Sequence, residues 1–357
     1  MFSVLCLLNK KAHIDKLSLT FLLLLPFTII LASPNPIFKS FERLLSFLPL
    51  YLIGSPLFQS KAFTKFRVTS FNTFLIIFVL LGVGSFFCYF LGINMMTMNR
   101  DELEITYQTA GYFSGLTKQS MMLGPVGGIT ALFGGYKYMQ CKRKIYLLIL
   151  IMGYMACIYS ASRGAFVAST ISLLVLLYKM SVNIKLYFKR LFFILILIGI
   201  SSPIWISGTR MLQEKHNVHK DDLELFDSRA DKFAYRFAEF ISSPIYGVGF
   251  SAIDPNIGDK YSRQGVIEPG SSWLAILSMT GIFGAILFVS MYVRSLKRSL
   301  KSSFMYNKKM VLLSSILVLM SIHWIVEGYI FASGNTLCFF SWLILGLCFD
   351  KNINNEI

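Results

Sequence analysis

The stretch Glu268-Pro-Gly-Ser-Ser-Trp-Leu-Ala-Ile-Leu-Ser-Met-Thr-Gly-Ile-Phe-Gly284 passes within a few residues from polar loop to apolar helix. It follows the only long polar segment of the chain, so polar chemistry meets a bilayer here. The composition around it agrees. Of 357 residues, 55% are hydrophobic and 33 are Phe, with a positive mean hydropathy. Such a chain is too apolar for a soluble domain, and several windows read as membrane spans of about 20 residues.

Working outward, spans are expected near residues 17–33, 44–58, 71–93, 119–136, 145–160, 164–179, 190–208, 271–293, 310–328 and 331–349. The second is short and interrupted, and the last two share a tight turn. Backbone groups in hydrocarbon must be satisfied within the segment, and no alternating barrel pattern is present, so the spans are helices. The expected fold is all-α: a polytopic integral membrane bundle of about ten transmembrane helices. Residues 1–357 form a single membrane domain, with one long external loop at 209–269.

The basic residues set the orientation. With the N-terminus inside, 21 of the 34 Lys and Arg fall on one side, accompanied by only Asp15, Asp350 and Glu356. By the positive-inside rule that side is cytoplasmic and holds both termini. The net charge of +16 is thus a topology signal. The cationic loops are short and scattered, so no nucleic-acid partner is expected. The first span lacks a cleavage site and is read as a retained helix. The cysteines Cys6, Cys88, Cys141, Cys157, Cys338 and Cys348 form no CxxC pair and none lies in the long loop. Neither disulfides nor a metal is expected.

Three external features remain. In Ser160-Ala-Ser-Arg-Gly164, two spans meet with almost no loop between them. Arg163 either snorkels to headgroups or, amid small neighbours that leave space around it, faces a ligand. In the long loop, Asp227-Ser228 can cap a helix over 229–241. Helical spacing puts Arg229, Lys232, Arg236 and Glu239 on one face and Phe233, Phe237, Phe240 and Ile241 on the other. The expectation is an amphipathic surface helix, either an anchor with a solvated charged face or a binding element. Pro244-Ile-Tyr-Gly-Val-Gly-Phe250 then gives a tight turn, with no nucleotide-loop pattern around it.

The third feature is the opening stretch itself. Pro269 suits a first helical turn, and the free N–H groups at that helix start can hold an anion. Glu268, just before it, is either a helix cap or a catalytic carboxylate. Ser271 and Ser272 are possible substrate contacts. So are His323 and Glu327, whose spacing of four places them on one helix face, unless they form a structural contact between helices. His216 and His219 read as solvated, and Tyr107, Tyr112 and Lys118 as sugar contacts or interface markers.

The order Ser162-Arg163-Gly164, an external Arg before Pro244-Ile-Tyr-Gly-Val-Gly249, then Ser272-Trp-Leu and Gly281-Ile-Phe-Gly284 resembles the O-antigen ligase and polymerase superfamily. The closing segment, His323-Trp-Ile-Val-Glu327 through Ser341-Trp-Leu-Ile-Leu-Gly346, resembles the end of its capsule and exopolysaccharide polymerases. The resemblance spans about residues 150–346. It implies a metal-independent, cofactor-free membrane glycosyltransferase with the helical-bundle class C fold, in the bacterial inner membrane with its active site facing the periplasm. The donor would be an undecaprenyl-pyrophosphate-linked oligosaccharide, with a chain-length regulator protein as a further partner.

In ligases of this superfamily two arginines bind the pyrophosphate. Arg163 matches the first by its Ser-Arg-Gly context. Arg229 matches the second by its distance from Pro244, with Arg236 as rival. The ligase His-Asn motif is missing, since its His falls near Gly270; this favours a polymerase over a ligase. Glu268 is then the carboxylate available as general base, and attack opposite the departing pyrophosphate inverts the anomeric centre. A flippase would show internal repeats and a polar path through the bilayer; a non-catalytic scaffold would tolerate Ala at Arg163 and Arg229.

Overall fold

The computed structural model describes residues 13–32, 40–97, 113–181, 183–200, 227–254, 257, 270–305, 308–350 and 353. Glu268, Tyr107, Tyr112, His216, His219 and Cys6 lie outside them. Eleven α-helices are found among the described residues: α1 (Lys16–Leu31), α2 (Ser40–Gly54), α3 (Lys61–Phe90), α4 (Ser120–Cys141), α5 (Lys144–Tyr159), α6 (Arg163–Lys179), α7 (Ile184–Ile200), α8 (Asp227–Ser242), α9 (Ser272–Met305), α10 (Lys308–Val326) and α11 (Thr336–Phe349). A helix overlaps each of the ten expected spans, and α8 is the amphipathic addition. By length and composition α3, α9 and α10 can cross a membrane, while α1, α5 and α11 are shorter apolar helices. The fold is all-α and membrane-like.

One departure is a two-residue antiparallel pairing of β1 (His13–Ile14) with β2 (Phe58–Gln59). It ties the start of α1 to the chain after α2, where the Asp15 N–H donates to the Leu57 carbonyl (2.9 Å). A second is the last turn. α11 starts at Thr336, not 331, because Asn335 caps it by accepting from the Leu337 N–H (2.8 Å). The residues from Glu327 to Asn335 are left as a non-helical connection.

The chain divides into two compact units. One comprises Met1–Phe71, Glu224–Lys301 and Trp324–Ile357; the other comprises Asn72–Leu223 and Ser302–His323. The first has an aromatic core. Phe21, Phe47, Tyr51, Phe288 and Trp342 are fully buried, and ring pairs such as Tyr51–Trp342 (4.8 Å) and Phe47–Phe331 (5.8 Å) meet edge to face. That arrangement sets the positive edge of one ring against the negative face of the next.

The second unit packs on glycine. A Cβ at Gly127 would stand 2.7 Å from the Cys157 nitrogen, and one at Gly134 2.5 Å from the Leu150 nitrogen. At these points α4 and α5 therefore touch backbone to backbone. Close approach of this kind is how helices associate where lipid removes the hydrophobic drive.

A buried cation closes the first unit. Arg67 is fully buried and donates to the carbonyls of Ile53 (2.8 Å), Ser55 (2.6 Å) and Phe58 (2.8 Å). Its Nη1 also meets Asp350 Oδ2 (3.3 Å), which accepts from Thr64 Oγ1 (2.6 Å). Asp350→Asn should strand a buried charge and cost about 3–5 kcal/mol, read as a fall in thermal stability in detergent. Arg67→Met combined with Asp350→Leu should cost less than the single change.

Candidate functional site

Helix α9 is not continuous. At Gly281 the backbone sits at φ 64°, ψ −170°, outside the helical region. A break frees backbone groups, and here the turn after α8 takes them up. The Val248 N–H donates to the Ser278 carbonyl (2.8 Å), and the Ile282 N–H donates to the Pro244 carbonyl (2.9 Å). The approach leaves no room for side chains. A Cβ on Gly281 would run into the Ile245 carbonyl, and one on Gly247 (φ 73°) would come within 2.5 Å of the Ser278 carbonyl. Thus Gly247 and Gly281 let the turn and α9 meet backbone to backbone.

This docking fixes α8. Of the two arrangements expected for it, the solvated charged face does not hold at Arg236 and Glu239: Arg236 is 4% exposed and Glu239 1%, whereas Phe237 is 52% and Ile241 63%. The charges turn inward because they satisfy one another. Arg236 Nη1 meets Glu239 Oε2 at 2.8 Å and Ser278 Oγ at 3.4 Å, while Glu239 Oε1 accepts from the Asp254 N–H (3.1 Å). The outward apolar face, extended by Ile245 and Tyr246, suits contact with lipid. Burial pushes the Glu239 carboxyl above its usual range, against the opposing pull of Arg236, the Asp254 N–H and Ser278.

Ser271 and Ser272 are structural staples. Ser272 Oγ donates to the Glu327 carbonyl (2.6 Å) and accepts from the Tyr329 N–H (3.1 Å), while Ser271 Oγ donates to the Trp324 carbonyl (3.2 Å). The expected anion site at the start of α9 is partly filled by protein. The Ser272 N–H donates to the Glu327 carbonyl (3.0 Å), and Leu274 N–H donates to Ser271 Oγ (3.4 Å). Glu327 does not share a helix face with His323, since α10 ends at Val326 and the chain turns there to hold Ser272. Both side chains are buried.

In the other unit, Arg163 begins α6 and is exposed, with no acidic partner among the described residues. The turn before it is tight. Ala161 has φ 51°, Ser160 Oγ donates to the Cys157 carbonyl (2.7 Å), and Ser162 Oγ accepts from the Ala165 N–H (3.4 Å). The small neighbours do not leave open space, because α4 fills it. A Cβ on Gly124 would stand 2.6 Å from Ala165 Cβ and 3.0 Å from Ser162 Cβ. They let two helices close while leaving the guanidinium outside. Arg229 lies in the first turn of α8.

Residues 146–289 match the family model described as O-antigen ligase. Over this segment the chain is similar to that family. No curated protein matches the chain. The matched segment begins within α5 and ends within α9, past the break at Gly281. It therefore holds Arg163, Arg229, Arg236, Glu268, Ser271 and Ser272, whereas His323 and Glu327 fall beyond it. The sequence placed Glu239 on one helix face with Arg236 but did not show that the two pair; Arg43 had no local signal, and only the fold sets it in the wall of a cavity.

Gly281→Ala should lose about 1–3 kcal/mol from strain at positive φ, plus the docked turn. Gly92→Ala, at φ 69° with nothing within 4 Å, should bear the strain alone. Limited proteolysis near residue 246 separates the two. Stability from Glu239 should be fullest below the ordinary glutamate value of about 4.3 and be lost as pH rises through its higher folded value. Glu239→Gln should remove that slope in thermal denaturation across pH.

Proposed function

We propose that this protein is a polysaccharide polymerase. It transfers a growing glycan from undecaprenyl pyrophosphate to a hydroxyl of another lipid-linked repeat unit, at the periplasmic face of the bacterial inner membrane. The observation that carries the reading is Arg163: an exposed cation at the start of a helix, inside the matched domain. The positive end of the α6 dipole adds to its charge, and both favour a pyrophosphate.

In the reaction the bond between the anomeric carbon and the pyrophosphate oxygen breaks as the acceptor oxygen bonds to that carbon from the opposite side. The acceptor hydroxyl gives its proton to a base, for which Glu268 is the candidate, and undecaprenyl pyrophosphate leaves. Arg163 stabilises the charge that grows on the leaving group through charge-assisted hydrogen bonds. Arg229 is the better second arginine, because the Arg236 guanidinium is engaged by Glu239 and Ser278. Arg236 then acts by holding α8 in place. No metal or organic cofactor is part of this proposal.

A ligase passing the glycan to lipid A core or protein is the second reading, favoured by the family description. The missing His-Asn motif supports the polymerase. The two differ in the surface polysaccharide ladder of a deletion strain. Attachment of only one repeat unit is the result expected; free lipid-linked polymer with none on the acceptor would make the protein a ligase. An unchanged ladder would sink both readings. Complementation with Arg163→Ala should restore less than a hundredth of wild-type polymer at equal membrane abundance, and Glu268→Gln a similarly small amount.

A further inference from the structure

Within the first unit, a cavity of about 320 Å³ lies between α2, α9, the turn after α8 and the connection from α10 to α11. Arg43, Ser251, Met279, Phe331 and Gly334 are among its lining residues. Its volume is near the lower end of the ~300–1,000 Å³ usual for small-molecule sites. That volume is of the size of a sugar residue and too small for a polyprenyl chain.

We infer that this cavity is a subsite for an anionic sugar residue of the acceptor glycan, with Arg43 holding its carboxylate or phosphate; the inference rests on the glycan-transfer reading above. Arg43 is half-buried, and its Nη1 donates to Ser251 Oγ at 3.2 Å, which orients the planar fork. Such a fork matches the two oxygens of a carboxylate or phosphate. Phe331 gives the cavity an apolar wall as well. Phe331 packs edge-on against Phe250 (5.0 Å) and Phe47 (5.8 Å), so its ring is held in place. One charged group, a hydroxyl and a rigid apolar wall suit a sugar ring that carries an anion. Inorganic phosphate alone would leave that wall unused.

Space and position agree. A Cβ on Gly334 would meet nothing within 4 Å. The cavity also shares elements with the α8 latch. Met279 follows Ser278, to which Arg236 is bonded, and Ser251 lies on the same loop as Asp254, whose N–H binds Glu239.

The test is equilibrium binding to the full-length protein in nanodiscs, with glucuronate, glucose 6-phosphate and neutral methyl glucoside as probes. Wild type should bind at least one charged sugar 10-fold or more tighter than the neutral one. Arg43→Ala should abolish that preference and Arg163→Ala should keep it. Gly334→Leu, which leaves Arg43 and Ser251 in place, should weaken every probe and carries the test if Arg43→Ala does not fold. Tighter glucuronate points to a uronic acid, and tighter glucose 6-phosphate to a phosphorylated sugar. Equal binding of charged and neutral probes, or no effect of Gly334→Leu, overturns the inference. Binding requires no turnover, so an unchanged polysaccharide ladder with the preference intact removes the transferase reading and leaves the anionic-sugar site.

Discussion

A helix interrupted in apolar surroundings must hand its freed backbone groups to another piece of protein, because lipid offers no hydrogen bonds. In α9 the interruption is at Gly281, and the receiver is the turn Pro244–Gly249. Much of the first unit follows from that exchange. The turn holds the C-terminal end of α8, and α8 presents Arg236 to Ser278, three residues before the break. Beyond the turn, the Phe250 N–H donates to Thr28 Oγ1 (3.1 Å), which carries the same restraint to α1.

Two of the places where charge is buried in this unit link segments far apart in sequence. Arg67 gathers the carbonyls at the end of α2 and reaches Asp350 after α11. Arg236 and Glu239 join α8 to α9 and to the loop at Asp254. Buried pairs contribute little net stability compared with well-packed apolar residues, yet losing one partner is severe. Their service here is to specify which segments meet.

The helices were legible because long apolar runs between basic clusters have few other solutions. Helix ends were less so. Thr336 starts α11 because Asn335 caps it, and the apolar residues before it hid that stop. The family was legible from the order of short motifs around Arg163, Pro244 and Gly281. What those residues do locally was not. Gly281 entered only as part of a motif, and the Ile245 carbonyl placed against it is visible only in the fold. Ser162 and Ala165 read as space around a ligand, but Gly124 of α4 occupies it. The inward turn of Arg236 depends on Ser278 and Asp254, neither of which its own helix reveals. Arg43 carried no local signal because its neighbours in the cavity come from three other segments.

The glycine seam between α4 and α5 bears on how such a chain can vary. At Gly127 and Gly134 no larger residue is admissible without parting the helices, since the neighbouring atoms are backbone and cannot rotate aside. Descendants of this sequence are therefore held still along that seam. A loop position such as Gly334 is under no such restraint, because an added side chain there enters empty space.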